Sequence, residues 1–427
     1  MLPGSDDFRA GSVKSYYDAA RYCIEELEAN SFEAYVVGGT VRDILSGRKV
    51  SDLDIATSAR PDQVHKVFSG CRVVDTGIKH GTVTLILPAD DAGKLHLEIT
   101  TYRLESAYSD ARHPDQIEFT DSIEEDLARR DLTINAMAWH PQRGLLDPYN
   151  GKKDLEAGVL RAVGLPEERF REDALRILRT LRLAAELGFL IEKHTEDALI
   201  AARERLTLVA AERLYVEWAR LITATEAGPI INKYWQVIAI FLPEFSAFSD
   251  SVSREKFLPR LKLLPARFAD RMAYLAALVS CGISTNLISP ALSLCQSLKC
   301  PKKLAQEIVC LSEGAVTAFP PDKLSVDRIR QQLAASGRSF DDLLLLKSLL
   351  GQAQEDIEEL RKIDQELSLA NLHGLQSLDI GGEDLVKLGF QGKAVGSALN
   401  KLYEAVLCDG LANKKDSLLA RARTYPK

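Results

Sequence analysis

Val36-Val37-Gly38-Gly39-Thr40-Val41-Arg42-Asp43 and, a short way on, Asp52-Leu53-Asp54-Ile55 are the two halves of the stretch that decides the fold of this chain. An apolar run enters a glycine pair, an arginine follows on what reads as a helix start, and two carboxylates alternate along a second apolar run. Residues two apart in a strand share a face, so Asp52 and Asp54 are expected side by side. Two adjacent anions are costly unless a cation binds them, and a divalent metal, Mg2+, is the expected partner. The glycines let backbone approach a phosphate, whose charge suits the N–H groups of the helix start. Either half alone is a common surface feature; the order and spacing of both together make the case.

Outward from this stretch, the first third alternates strand and helix signals. Strands are expected at Tyr35–Val37, Asp52–Ile55, Thr82–Leu87 and Leu95–Thr100, and helices at Val13–Leu27 and Pro61–Phe68. Val73–Gly77 reads as a turn feeding the strand at Thr82. From about Phe170 the pattern is helical to the C-terminus, interrupted by Gly and Pro at Gly228-Pro229, Pro243, Pro265, Pro290, Pro320-Pro321 and Gly381-Gly382. The fold class expected is α+β: an N-terminal head with a mixed sheet and helices, then an all-helical remainder.

Composition sets the frame. At 427 residues the chain exceeds a single core and implies several domains. No apolar run reaches the roughly 20 residues of a membrane span, and no secretory signal is visible. The seven cysteines are scattered, without a Cys-x-x-Cys pair, which points to reduced thiols and a cytoplasmic location rather than disulfides or zinc. A net charge of −7 excludes generic polyanion binding but not a nucleic-acid partner met by placed arginines and lysines. The segment from Gly392 onward is locally basic, carrying Lys393, Lys401, Lys414, Lys415, Arg421, Arg423 and Lys427.

Three further motifs bear chemistry. Glu98, in the strand Leu95–Thr100, is either an edge glutamate or a third carboxylate that would complete a metal site with Asp52 and Asp54. Arg129-Arg130-Asp131-Leu132-Thr133-Ile134-Asn135-Ala136 reads either as a charged cap on an apolar helix or as a guanidinium fork for triphosphate oxygens, with Asp131 holding the fork. In Arg171–Arg182, a single helix would align Asp173, Arg176, Arg179 and Arg182 in one stripe and Leu175, Leu178 and Leu181 in another. That stripe is either a salt-bridged polar face or a base reader. A carboxylate accepts from the amino group of cytosine or adenine while an arginine donates to the ring acceptor beside it, a match that the carbonyl edges of uracil and guanine do not offer.

With Gly81-Thr82-Val83 added, these motifs resemble the class II tRNA nucleotidyltransferases, the CCA-adding family within the polymerase-beta-type nucleotidyltransferase superfamily. The resemblance covers essentially the whole chain and extends to Gly382–Gly392 and Val395-Gly396 near the C-terminus. It implies a catalytic head at 1–155, a neck for base recognition at 156–222, a helical body at 223–330, and a tail at 331–427 that reaches the tRNA elbow. It also implies template-independent addition or repair of the tRNA 3′-terminal CCA from CTP and ATP, by two-metal phosphoryl transfer with release of pyrophosphate. In these terms Asp52 and Asp54 bind Mg2+ and act with Glu98 in catalysis. Gly39 and Arg42 contact the triphosphate, Arg130 holds phosphates, Asp173 and Arg176 read the base, and Arg179 and Arg182 complete the pocket.

The family is subdivided, and the alternatives stay open. Poly(A) polymerases of the same class carry a basic stretch where this chain has Val73–Gly77 and Gly81-Thr82-Val83, which places it on the CCA side. CC-adding relatives lack a flexible loop after the third-acid strand, whereas Glu105–Pro114 occupies that position here. The loop departs from the usual Asp-Gly-Arg-Arg-Pro pattern at Ala111 and His113, which leaves an A-adding (or CC-adding) enzyme that shares the work with a partner as the alternative. No His-Asp dipeptide is present, so the phosphohydrolase extension of some relatives is not expected.

Overall fold

The alternation of apolar residues in the first third builds a seven-stranded mixed sheet. The structure, a computed structural model, describes residues 16–50, 53–88, 93–105, 117–282, 289–317 and 322–426. It divides into two compact units, 1–217 and 218–427. The first begins with α1 (Tyr16–Ala29), β1 (Ala34–Val37), α2 (Gly39–Leu45), β2 (Leu53–Thr57) and α3 (Pro61–Val67). It continues with β3 (Arg72–Gly77), β4 (Thr82–Pro88), β5 (Lys94–Thr101), β6 (Arg103–Glu105), β7 (Ile117–Phe119) and α4 (Ile123–Ala128). The strand order is β3-β4-β5-β2-β1 and then β8 (Ala138–His140) and β9 (Gly144–Leu146). β2 runs parallel to β5, and every other neighbouring pair is antiparallel. Val36, Ile55, Leu85, Leu97 and Ile99 fill the core with the Cys23, Ile24 and Leu27 face of α1, all at most 1% exposed.

Two expectations change here. Val73–Gly77 is not a turn but part of β3, paired to β4 with a register shift between Val74 and Gly77. The β-branched pair Val73-Val74 favours the extended chain, and the irregularity lets Gly77 close the hairpin through a short 3₁₀ turn at Ile78–His80. The expected apolar helix after Arg129-Arg130 is instead a 3₁₀ turn, Thr133–Asn135, leading into β8. Gly151 explains why: a Cβ there would sit 2.1 Å from the Thr133 carbonyl oxygen, so the turn is pressed against the start of α5 (Gly151–Ala157).

The unit closes with β10 (Val159–Leu160), α6 (Pro166–Glu172), α7 (Leu175–Leu187), β11 (Leu190–Ile191), α8 (Lys193–Ala202) and most of α9 (Ala211–Thr223). β10 and β11 form a two-stranded parallel pair inside a region otherwise read as helical. The expected helix over Arg171–Arg182 is broken: Asp173 is extended, at φ −138° and ψ 106°, between α6 and α7. Its Oδ1 accepts from the Leu175 backbone N–H at 3.0 Å, the competition with helical bonding that makes Asp a capping residue. Leu178 and Leu181 of α7 are fully buried, as the apolar stripe implied.

The second unit is helical. It comprises α10 (Ala227–Phe241), α11 (Ser251–Phe257), α12 (Phe268–Gly282), α13 (Pro290–Ser297), α14 (Lys302–Val316) and α15 (Lys323–Ala335). After these come α16 (Phe340–Leu349), α17 (Gln354–Leu369), α18 (Gly382–Lys387), α19 (Lys393–Cys408) and α20 (Lys415–Ala422). In α12 every residue from Met272 to Val279 is buried. Trp218 packs edge-on against Phe241 and Phe245. All seven cysteines are free thiols. Among the described residues no helix is long and apolar enough to cross a membrane.

Candidate active site

Asp54 and Glu98 lie side by side because β2 and β5 are parallel neighbours in register, Asp54 opposite Glu98. Both carboxylates line a cavity of about 440 Å³ in the first unit. The Thr82 and Thr100 hydroxyls, hydrogen-bonded to each other at 3.0 Å, form the floor beside Glu98. Gly38 and Gly39 bring the β1–α2 turn to the same wall. Gly38 adopts φ +70°, and a Cβ there would stand 2.9 Å from Arg130 Nη1 and 3.6 Å from Asp54 Oδ2. A left-handed backbone and a guanidinium in contact with it both require glycine. The Thr40 hydroxyl accepts from the Asp54 backbone N–H at 3.1 Å and fixes the turn to β2.

The opposite wall is cationic. Arg129 and Arg130 follow α4 and share one buried carboxylate, Asp126, which is 1% exposed. Asp126 Oδ1 accepts from Arg129 Nε at 3.0 Å and Nη2 at 2.6 Å, and its Oδ2 accepts from Arg130 Nη2 at 3.0 Å. Burial acts to raise the Asp126 pKa, but the two guanidinia outweigh it and the pKa falls below the ordinary carboxylate value. Asp131, expected to hold the fork, does something else. Its Oδ2 accepts from Arg179 Nε at 2.8 Å, and its Oδ1 accepts from the Leu132 N–H and Asn135 Nδ2. Burial pushes Asp131 up, yet Arg179 and Arg176 hold it well below the usual carboxylate range.

Asp173, Arg176 and Arg179 reach the cavity from the α6–α7 junction and the first turns of α7. Asp173 Oδ2 accepts from Arg213 Nη2 at 2.6 Å. Arg176, 7% exposed, donates to Glu172 at 2.5 Å and to the Arg129 carbonyl at 3.0 Å, which ties the start of α7 to the arginine pair. Arg179 keeps 40% of its side chain exposed.

Two expected site residues are not part of this wall. Arg42 does not line the cavity; it grips Asp43 with two bonds and donates to Asn135 Oδ1 at 2.8 Å, which braces the start of α2. Arg182 is 5% exposed and locked between Glu217, at 2.5 Å, and Glu186, at 2.7 Å. Of the stripe only Arg182 leaves the cavity, because a three-residue step drifts by about 60° around a helix of 3.6 residues per turn, which carries Arg182 onto another face of α7. Asp126, Arg103, Asn135 and Arg213 were missed by the sequence reading. Only Asp126 had a legible signal, its i, i+3 and i, i+4 spacing to Arg129 and Arg130. Asp52 and the loop at 106–116 lie outside the described residues.

Oxygen donors on adjacent strands suit a hard divalent cation, so Asp54 and Glu98 fit the metal that the sequence implied. Among the described residues no three His, Cys, Asp or Glu gather into a metal cluster.

Comparison with known proteins fixes the family. Residues 34–161 match the family described as "Poly A polymerase head domain". Residues 188–248 match "Probable RNA and SrmB- binding site of polymerase A", and 272–422 match "tRNA nucleotidyltransferase domain 2 putative". The CCA-adding enzyme of Lactiplantibacillus plantarum is 35% identical over 415 residues, covering 95% of this chain and 96% of the relative. The chain belongs to the family of CCA-adding enzymes. The CCA-adding enzyme of Bacillus subtilis is 34% identical over 388 residues, covering 90% of this chain and 92% of its own. A crystal structure of the Bacillus stearothermophilus CCA-adding enzyme in complex with CTP shares the fold with a TM-score of 0.75 at 25% identity, over 96% of this chain and 97% of that one. As a CCA-adding nucleotidyltransferase, the chain uses a divalent metal, and the cavity between β2, β5, α4 and α7 is where its sequence motifs converge.

Proposed function

We propose that this chain builds and repairs the tRNA 3′-terminal CCA from CTP and ATP without a nucleic-acid template, releasing pyrophosphate, in the cytoplasm. The observation that carries this is the cavity itself. It sets the Asp54–Glu98 carboxylate edge against an arginine wall and adds an Asp173–Arg176 pair at its rim.

Asp54 and Glu98, with Asp52, would hold Mg2+, which would supply charge stabilisation for an attacking 3′-hydroxyl and for the departing pyrophosphate. The rest falls to the chain. Gly38 and Gly39 leave the backbone open to a phosphate, and Arg129 and Arg130 receive its oxygens. Asp173 has lone pairs left after bonding Leu175 and Arg213, so it can accept from the exocyclic amino group of cytosine or adenine. Arg176, braced by Glu172, donates to the neighbouring ring acceptor. Arg42 and Arg182 serve this site by holding its supports. We assign the head to 1–155, the neck to 156–222, the body to 223–330 and the tail, with its basic rim facing the tRNA elbow, to 331–427.

The test is incubation with tRNAs ending before CCA, after C and after CC, each with single labelled nucleotides. Full CCA addition extends all three in the order C, C, A. Extension of only the CC-ended tRNA by ATP assigns the A-adding alternative, and a long A ladder assigns a poly(A) polymerase.

A further inference from the structure

We propose that Asp126 is a positioning residue for the nucleotide's triphosphate: it sets the aim of Arg129 and Arg130 without touching the nucleotide and without a part in base choice. The proposal rests on the reading that this cavity takes a nucleoside triphosphate.

Asp126 is absent from the cavity wall and 1% exposed, yet three guanidinium N–H groups converge on its two oxygens at 2.6–3.0 Å. A buried carboxylate is expensive unless paired and hydrogen-bonded, and both conditions are met by the arginines that face the cavity. Its place is rigid. Ile123 and Leu127 of α4 are buried in one cluster with Tyr35 and Tyr102, and Ser122 caps the helix by accepting from the Glu125 N–H. Arg129 and Arg130 follow at i+3 and i+4, so a single acceptor governs both side chains.

The direction it imposes matters. Arg130 Nη1 and Asp54 Oδ2 both lie in contact range of the position a Gly38 Cβ would take. Asp126 supplies the carboxylate that Arg130 would otherwise seek at Asp54, and so keeps the guanidinium aimed along the wall rather than across the glycine turn. Arg130 Nε is buried with no protein partner, which leaves Nη2 on Asp126 and a 3.4 Å contact of Nη1 with the Asn135 carbonyl as its anchors. Arg176 meets the same segment through the Arg129 carbonyl, a backbone contact that survives loss of the Asp126 charge. Base choice should therefore be insulated from Asp126.

The experiment is steady-state kinetics of Asp126→Asn, Asp126→Glu and Arg130→Ala with CTP, ATP, UTP and GTP, with inorganic pyrophosphate as inhibitor and a thermal melt of each variant. Asp126→Asn is expected to raise KM for CTP and ATP together by about tenfold, the worth of a charge-assisted hydrogen bond. Pyrophosphate inhibition weakens in parallel, discrimination against UTP and GTP stays at the wild-type level, and Asp126→Glu recovers part of the loss. Wild-type KM and pyrophosphate inhibition in Asp126→Asn, alongside a raised KM in Arg130→Ala, overturn the positioning role. So does relaxed base selectivity in Asp126→Asn. If Arg130→Ala also leaves both quantities unchanged, the triphosphate reading itself fails. Should Asp126→Asn not fold, Asp126→Ser takes its place: a wild-type KM and wild-type pyrophosphate inhibition there overturn the proposal.

Discussion

Asp131 and Arg179 are joined by a 2.8 Å hydrogen-bonded ion pair that links the arginine-rich segment after α4 to the second turn of α7. The folded pKa of Asp131 is depressed, so its stabilising contribution is present above the unfolded carboxylate value near 3.9 and is lost as pH falls through the folded value. Asp131→Asn is expected to lower stability at pH 7 by about 1–3 kcal/mol, between the exposed and buried ranges because Arg179 is 40% exposed. Melts from pH 7 to pH 2 should show the wild type converging on the variant below pH 4. A constant offset through that range would remove Asp131 as the titrating group.

Asp54→Ala is expected to reduce the rate of nucleotide incorporation by about 10³-fold, the several kcal/mol of charge stabilisation that metal ions supply. tRNA binding should be retained. Glu98→Gln should lose less, since Asp54 remains. Single-turnover incorporation and filter binding separate the two effects, and a wild-type rate in Asp54→Ala would refute the metal assignment.

Asp173→Ala is expected to relax discrimination against UTP and GTP by about 1–3 kcal/mol per lost base contact. Arg213→Ala should do part of the same, because Arg213 fixes the Asp173 carboxylate at 2.6 Å. Competition between CTP and UTP on one tRNA measures both. Unchanged ratios in Asp173→Ala would sink the base-reading role.

Arg182→Met is expected to destabilise by about 3–5 kcal/mol, because it leaves Glu217 buried beside an apolar chain. Arg182→Met with Glu217→Leu should regain most of the loss. Denaturant melts of the single and double variants decide it; additive losses would show that the pair is not coupled.

Lys347 is 3% exposed and donates to the Ala315 and Thr317 carbonyls, the end of α14, and to Gln352. Burial lowers its pKa to about 8. The folded state therefore sheds a proton between pH 8 and the unfolded value near 10.4, and stability gains with rising pH in that window. The melting temperature relative to Lys347→Met should climb from pH 8 to pH 10. A flat difference would assign the ammonium no cost of burial.

The sequence alone determined the family and the chemical inventory: within the glycine turn, the alternating acids, the arginine pair and the Asp173–Arg182 segment the residues stand close in the chain, where strand and helix periodicity make them legible. What it did not determine was which charges face the cavity and which face one another. The register of β2 against β5 that aligns Asp54 with Glu98 depends on strands far apart in sequence. The break at Asp173 depends on a capping bond that competes with the helix, and on Arg213 forty residues on in α9. Asp126 rather than Asp131 holds the arginine fork because Arg179, brought in by α7, claims Asp131 first. An ion pair goes to the partner that folding brings within reach, and only the tertiary structure sets those distances.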